Sequence, residues 1–151
     1  MKVVKSENIG SIKSENKKVV LSGGCFDILH DGHIEFLQKA KNEGDILVIL
    51  LESDARIKKN KGANRPIHGY SQREKALSRL SFIDVIVPVP DSANDQTYIN
   101  VVKELEPDII AITKGDPLTE IKKRQAELVG GKVVEVMTRN KKFSSSKLIT
   151  K

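Results

Sequence analysis

The 151-residue chain has one cysteine, no tryptophan and only 4% aromatic residues. A lone Cys25 excludes an internal disulfide framework and any multi-cysteine zinc or iron–sulfur site. Scarce aromatics leave few platforms on which nucleic-acid bases stack. Long apolar runs are missing as well. The longest, Ile46–Leu51, is strand-sized, far short of the roughly 20 residues of a membrane span. The opening Met1-Lys2-Val3-Val4-Lys5-Ser6-Glu7 has no secretory apolar core, so a cytoplasmic protein with no membrane partner is expected. No internal repeat or low-complexity tract is present.

What is there reads as globular: 38% hydrophobic and 30% charged residues, on a length that suits a single core. The 26 Lys+Arg outnumber the 20 Asp+Glu, a net charge of +6. The excess is grouped. Arg56, Lys58, Lys59, Lys61 and Arg65 form one acid-free set, and Arg139, Lys141, Lys142 and Lys147 another. Such sets suit an anionic partner, either nucleic acid or the phosphates of a small molecule, or they are solvated loops.

Residues 1–16 read as a polar lead-in and 17–151 as one domain. From Lys17 on, short β-branched runs alternate with helical patterns. Strands are expected at Val19–Leu21, Asp45–Leu51, Asp84–Val89, Asp108–Thr113 and Lys132–Met137. Helices are expected at Gly32–Glu43, from about Ser71, at Thr97–Leu105 and at Thr119–Val129, with Asn60–Gly69 a loop. Ser71-Gln72-Arg73-Glu74 fits a capping box, and Ser144–Ser146 a final cap. Strands apolar on both faces and separated by helices imply an α/β domain: a doubly wound, Rossmann-like five-stranded parallel sheet with helices on both faces. Ligands in such sheets bind beyond the carboxyl ends of the strands.

The loop after the first strand, Gly23-Gly24-Cys25-Phe26-Asp27-Ile28-Leu29-His30-Asp31-Gly32-His33, lacks the glycine spacing of a dinucleotide fingerprint and the Gly-Lys-Ser/Thr of a P-loop. It offers instead two histidines three apart at a helix start, on one face. Free N–H groups and the helix dipole favour an anion there, and Gly32 permits close approach. Two imidazoles at a helix N-terminus suit a phosphoryl centre whose charge grows during reaction. Other readings of the same residues are a soft-metal set of Cys25, His30 and His33, or histidines that act as caps and core contacts.

Gly24-Cys25-Phe26-Asp27 with His30-Asp31-Gly32-His33 resembles the signature of the HxGH nucleotidyltransferase superfamily, whose members are cytidylyltransferase-like. Ser53-Asp54-Ala55, Lys61-Gly62, Arg65-Pro66-Ile67, Arg73, Glu106-Pro107-Asp108, Lys114-Gly115-Asp116, Gly130-Gly131 and Ser144-Ser145-Ser146 extend the match over residues 17–150. They are most similar to the adenylyltransferase domain of bifunctional heptose-phosphate kinase/adenylyltransferases.

The resemblance implies transfer of AMP from ATP to a phosphorylated sugar or polyol, heptose-1-phosphate-like, with release of pyrophosphate. Glycerol-3-phosphate cytidylyltransferase, using CTP, and FMN adenylyltransferase are the alternatives. It further implies catalytic roles for His30, His33 and Lys61, and nucleotide contacts from Gly24, Cys25, Phe26, Asp27, Gly32, Gly115, Asp116, Ser144, Ser145 and Ser146. Arg73 would meet the acceptor or a phosphate, Mg²⁺ would come with the nucleotide, and a homodimer is common in the family. The chain departs from the heptose branch in three ways. One glycine precedes Asp116 where that branch has two, Asp31 stands between the histidines, and no kinase half is present. A basic nucleic-acid-binding module accounts for the charge but leaves His30 and His33 without a role.

Overall fold

The computed structural model describes residues 3–13 and 16–138, the side chains of Ser6 and Glu7 excepted. A 3-10 helix at Ser6–Ser11 leads in. Then come β1 (Val19–Gly24), α1 (Asp31–Lys41), β2 (Ile46–Leu51), α2 (Asp54–Lys61), α3 (Tyr70–Ser78), β3 (Val85–Pro88), α4 (Asp95–Leu105), β4 (Ile109–Lys114), α5 (Thr119–Glu127) and β5 (Lys132–Thr138). The five strands pair in the order β3-β2-β1-β4-β5, and every pairing is parallel.

Strand alternation divides the core in two. Val19, Leu21, Val48, Leu50, Ile110 and Ile112 pack beneath α4 and the 3-10 helix through Ile9, Val101, Val102 and Leu105. Val20, Leu47, Ile49, Leu51, Ile109 and Ala111 pack on the other face beneath Leu37 and Ala40 of α1 and Leu77 of α3. A strand covered on both faces has no polar side to show, which is why these runs are continuously apolar. The winding proceeds outward from β1 to β3 and then returns through α4 to place β4 on the opposite flank of β1. Connections diverge at that reversal and leave a crevice at the carboxyl ends of β1 and β4.

Two expectations are corrected. Asn60 and Lys61, expected to open a loop, instead close a helix, α2. Ser53 Oγ accepts from the Arg56 N–H at 3.2 Å to cap it, and only Ile57 of its eight residues is buried. The α3 cap is not Ser71 but Gly69, whose N–H donates to Gln72 Oε1 at 3.1 Å, so Ser71 lies inside the first turn.

Candidate active site

At the β1/β4 crevice lies a cavity of about 330 Å³. It is lined by Ser22–Phe26 from β1 and its loop, by His30, Gly32, His33 and Phe36 at the start of α1, and by Lys61 at the end of α2. Ala111–Thr113, Gly115–Pro117, Lys122 and Met137 complete the wall.

His30 precedes α1 in an extended conformation (φ −134°, ψ 177°), and its Nδ1 accepts from the Gly32 N–H at 3.1 Å. The imidazole thus fills the capping position that Ser, Thr, Asp or Asn usually holds. With Nδ1 accepting, the neutral ring carries its proton on Nε2 and can donate from there. One turn on, the His33 ring stacks on His30 with centroids 3.9 Å apart and planes 17° apart. Phe26 meets His33 edge-on at 5.5 Å. That aromatic sits at φ 47°, in the left-handed region. Its place depends on Gly24, where a Cβ would come within 2.9 Å of the Phe26 ring.

Burial pushes His33 down to about 4, helped by the charge of His30 and of Lys61 and opposed by a backbone hydrogen bond with Ile28. His30 is lowered too, by burial against the pull of Asp31. Two uncharged rings therefore share the positive end of α1. A negative charge placed there would oppose that lowering.

Lys61 Nζ lies 3.2 Å from Cys25 Sγ, so the lysine leans over the β1 loop and puts its charge at the cavity mouth. On the opposite wall Gly115 turns the chain at φ 86°, a conformation suited to glycine. Asp116 accepts from the Leu118 N–H at 2.8 Å and pairs with Lys122 Nζ at 2.8 Å. Its carboxylate thus organises the start of α5 and tethers a lysine.

The structure brings Gly24, Cys25, Phe26, His30, Gly32, His33, Lys61, Gly115 and Asp116 around one cavity. Asp27 and Arg73 are placed elsewhere. Asp27 is fully buried and accepts from Arg65 Nε at 2.7 Å and from the Ile67 and His68 N–H groups at 2.8 Å each. Burial opposes its charge, but those three donors hold the carboxyl below the ordinary 3.8. Arg73, 1% exposed, donates to the carbonyls of His68, Cys25 and Glu52 at 3.0, 2.9 and 2.8 Å and to Asp54 Oδ1 at 2.7 Å. It ties the loops after β1 and β2 to the one before α3 instead of facing a ligand.

The first basic set divides likewise. Arg56 binds Glu52 and the Ala93 carbonyl beside the Tyr98 ring, and Arg65 binds Asp27, which leaves Lys61 as the member of that set on the cavity wall. Ser144, Ser145, Ser146 and the second basic set lie outside the described residues. Among the described residues no three His, Cys, Asp or Glu side chains, Cys25, His30 and His33 included, group to hold a metal ion. No helix among them is long and apolar enough to cross a membrane.

Lys122 and Ser22 are among the wall residues that escape sequence reading. Lys122 is six residues past Asp116 across an irregular turn, a spacing no helical or strand period pairs. Ser22 had a signal, being the one polar side chain in the buried part of β1.

The sequence model of the Cytidylyltransferase-like family matches residues 21–151. Bifunctional protein HldE of Campylobacter jejuni subsp. doylei is 37% identical over 147 residues, 97% of this chain and 30% of that protein. Bifunctional protein HldE of Helicobacter acinonychis is 46% identical over 110 residues, 72% of this chain and 23% of that protein. The chain thus spans under a third of the length of these curated relatives. Among solved structures, a lipopolysaccharide core biosynthesis protein from Thermoplasma volcanium superposes with a TM-score of 0.68 at 27% identity, covering 83% of this chain and all of that one. A pantoate-beta-alanine ligase from Francisella tularensis shares the fold, at TM-score 0.65 and 14% identity over 99% of this chain and 76% of its own.

Proposed function

The chain belongs to the cytidylyltransferase-like family of nucleotidyltransferases, and from that premise we propose that it transfers AMP from ATP to a phosphorylated sugar or polyol, heptose-1-phosphate-like, and releases pyrophosphate. The observation that carries the reading is the pair of stacked, uncharged imidazoles at the amino end of α1, with Lys61 at the same cavity. The transfer needs no protein nucleophile. An oxygen of the acceptor phosphate attacks the α-phosphorus in line, the bond from that phosphorus to the bridging oxygen breaks, and pyrophosphate leaves with the negative charge. The protein's task is to hold the triphosphate and stabilise the charge that moves onto the leaving group.

His30, whose cap bond leaves Nε2 as the donor, and His33 are the residues for that task. Lys61 supplies the fixed charge. Mg²⁺ would accompany the nucleotide and shield its phosphates. The described residues offer it no carboxylate cluster, since Asp116 is paired with Lys122 and Asp27 with Arg65. The adenylyl and heptose-like assignments rest on the motifs shared with the heptose-phosphate branch. A pyrophosphate-release assay over ATP and CTP, each with heptose-1-phosphate, glycerol-3-phosphate and FMN, tests them. Turnover is expected with ATP and the sugar phosphate, and loss of turnover in a folded His33→Ala variant. No release with any pair refutes the reading.

A further inference from the structure

Only Ile57 of the eight residues of α2 is buried, so apolar packing holds this helix at one point. Its last residue is Lys61, whose ammonium leans over the β1 loop at the cavity. Where that charge sits depends on what fixes the helix beneath it. The ties are polar, and one of them reaches a different part of the fold. Arg56 Nε donates to Glu52 Oε2 at 3.0 Å and its Nη1 to the carbonyl of Ala93, while the guanidinium carbon lies 5.5 Å from the Tyr98 ring centroid. From α4 the Tyr98 hydroxyl donates to the other Glu52 oxygen, Oε1, at 2.5 Å. Glu52 is itself held by its backbone: its N–H donates to the Gly24 carbonyl at 3.1 Å and its carbonyl accepts from Arg73 at 2.8 Å.

Arg56 thus clasps α2 to α4 and to the loop before it, through an acid anchored on the cavity loop. None of Glu52, Arg56 and Tyr98 lines the cavity. An exposed ion pair between residues four apart stabilises little, but the side chains of Arg56 and Glu52 are only 18% and 21% exposed and share their contacts with two other segments. Lys61 lies five residues beyond Arg56, about 7.5 Å along the helix axis. A tilt of about 10° at the clasp would move that end by ~1.3 Å, more than the ~0.5 Å range of hydrogen-bond lengths. We propose that Arg56 is a positioning residue: through Glu52 and Tyr98 it sets the lie of α2 and so fixes where the Lys61 ammonium meets the triphosphate. This rests on the nucleotidyltransferase reading above and adds to it the device that aims its lysine.

Calorimetric titration with inorganic triphosphate of wild type, Arg56→Met, Lys61→Ala and the double variant, with the melting temperature of each, tests this. Lys61→Ala is expected to lose about 10- to 100-fold in affinity, the size of a charged hydrogen bond, and Arg56→Met about three- to tenfold. The double variant is expected to bind within about twofold of Lys61→Ala alone, because the two substitutions remove one interaction. Should Arg56→Met not fold, Tyr98→Phe, which keeps the ring and removes only the hydroxyl, carries the same cycle with a loss of about two- to fivefold. Wild-type affinity in Arg56→Met, or in Tyr98→Phe where that variant stands in, overturns the proposal. Losses that multiply in the double variant give the clasp a structural role, whatever the melting temperatures, and also overturn it. Both results leave the nucleotidyltransferase reading standing. Wild-type affinity in Lys61→Ala, or no binding by the wild type, removes the lysine's contact and the proposal with it. The reading itself falls only if pyrophosphate release also fails with every substrate pair.

Discussion

A buried imidazole that stays neutral makes folding depend on pH. His33 is pushed down to about 4 by burial, from an ordinary 6.5. As the pH falls below 6.5 the unfolded chain binds a proton at this position while the folded chain does not, so stability drops until the pH reaches about 4. The full effect is ~3 kcal/mol, and between pH 7 and pH 5 it is ~2 kcal/mol. In a domain of this size that lowers the melting temperature by about 4–8 °C. Asp27 and Asp108 are both held below the ordinary carboxylate value of 3.8, so their contributions are present above that range and constant across this window. His30, lowered in the same direction by burial, is retained in the comparison. Thermal melts of the ligand-free protein at pH 7 and pH 5 should therefore show a larger drop for wild type than for His33→Gln, by about that margin. Equal drops in the two proteins would refute the argument that His33 is neutral in the empty cavity.

Replacing Arg73 by Met orphans the carbonyls of His68, Cys25 and Glu52. At ~1–3 kcal/mol for each buried acceptor, denaturant unfolding should report a loss of several kcal/mol. A stable variant with only a raised acceptor KM would instead assign the residue to ligand binding. Lys61→Ala, at an exposed position, should keep its melting temperature and lose turnover on the order of 10²-fold, while Lys58→Ala, away from the cavity, keeps wild-type activity. Equal rates for the two variants would remove Lys61 from the site.

The sheet was readable because its strands are buried on both faces, and no other element produces four- to six-residue apolar runs bounded by turns and spaced by helices. The α2 helix was not readable by periodicity. With Ile57 its only buried residue and a row of lysines around it, its pattern is that of a solvated charge run. Ser53 followed by Asp54 was the available sign, a cap and a first-turn acid that owe nothing to burial. The histidine pair was legible because both members belong to one local segment. Arg73 and Asp27 were not, because each owes its role to partners brought from other parts of the chain: Asp27 meets Arg65, Ile67 and His68, and Arg73 meets Cys25 and Glu52. A spacing pattern does not carry such contacts. Motif position alone would set both beside a ligand.

The guanidinium groups of Arg56, Arg65 and Arg73 are each matched by an acid of the same chain, Glu52, Asp27 and Asp54. Contact pairs of this kind, with Arg65 and Arg73 buried and Arg56 partly so, are less affected by dissolved salt than separated surface charges, since screening acts over about 8–10 Å of open solution. The formal +6 is thus a poor guide to how the protein responds to ionic strength. Attraction of a polyanion toward the cavity falls to cations such as Lys61 and Lys122, the second of them already half-claimed by Asp116. Added salt would compete with an incoming triphosphate at those two ammonium groups, and the three paired arginines would register little of the change.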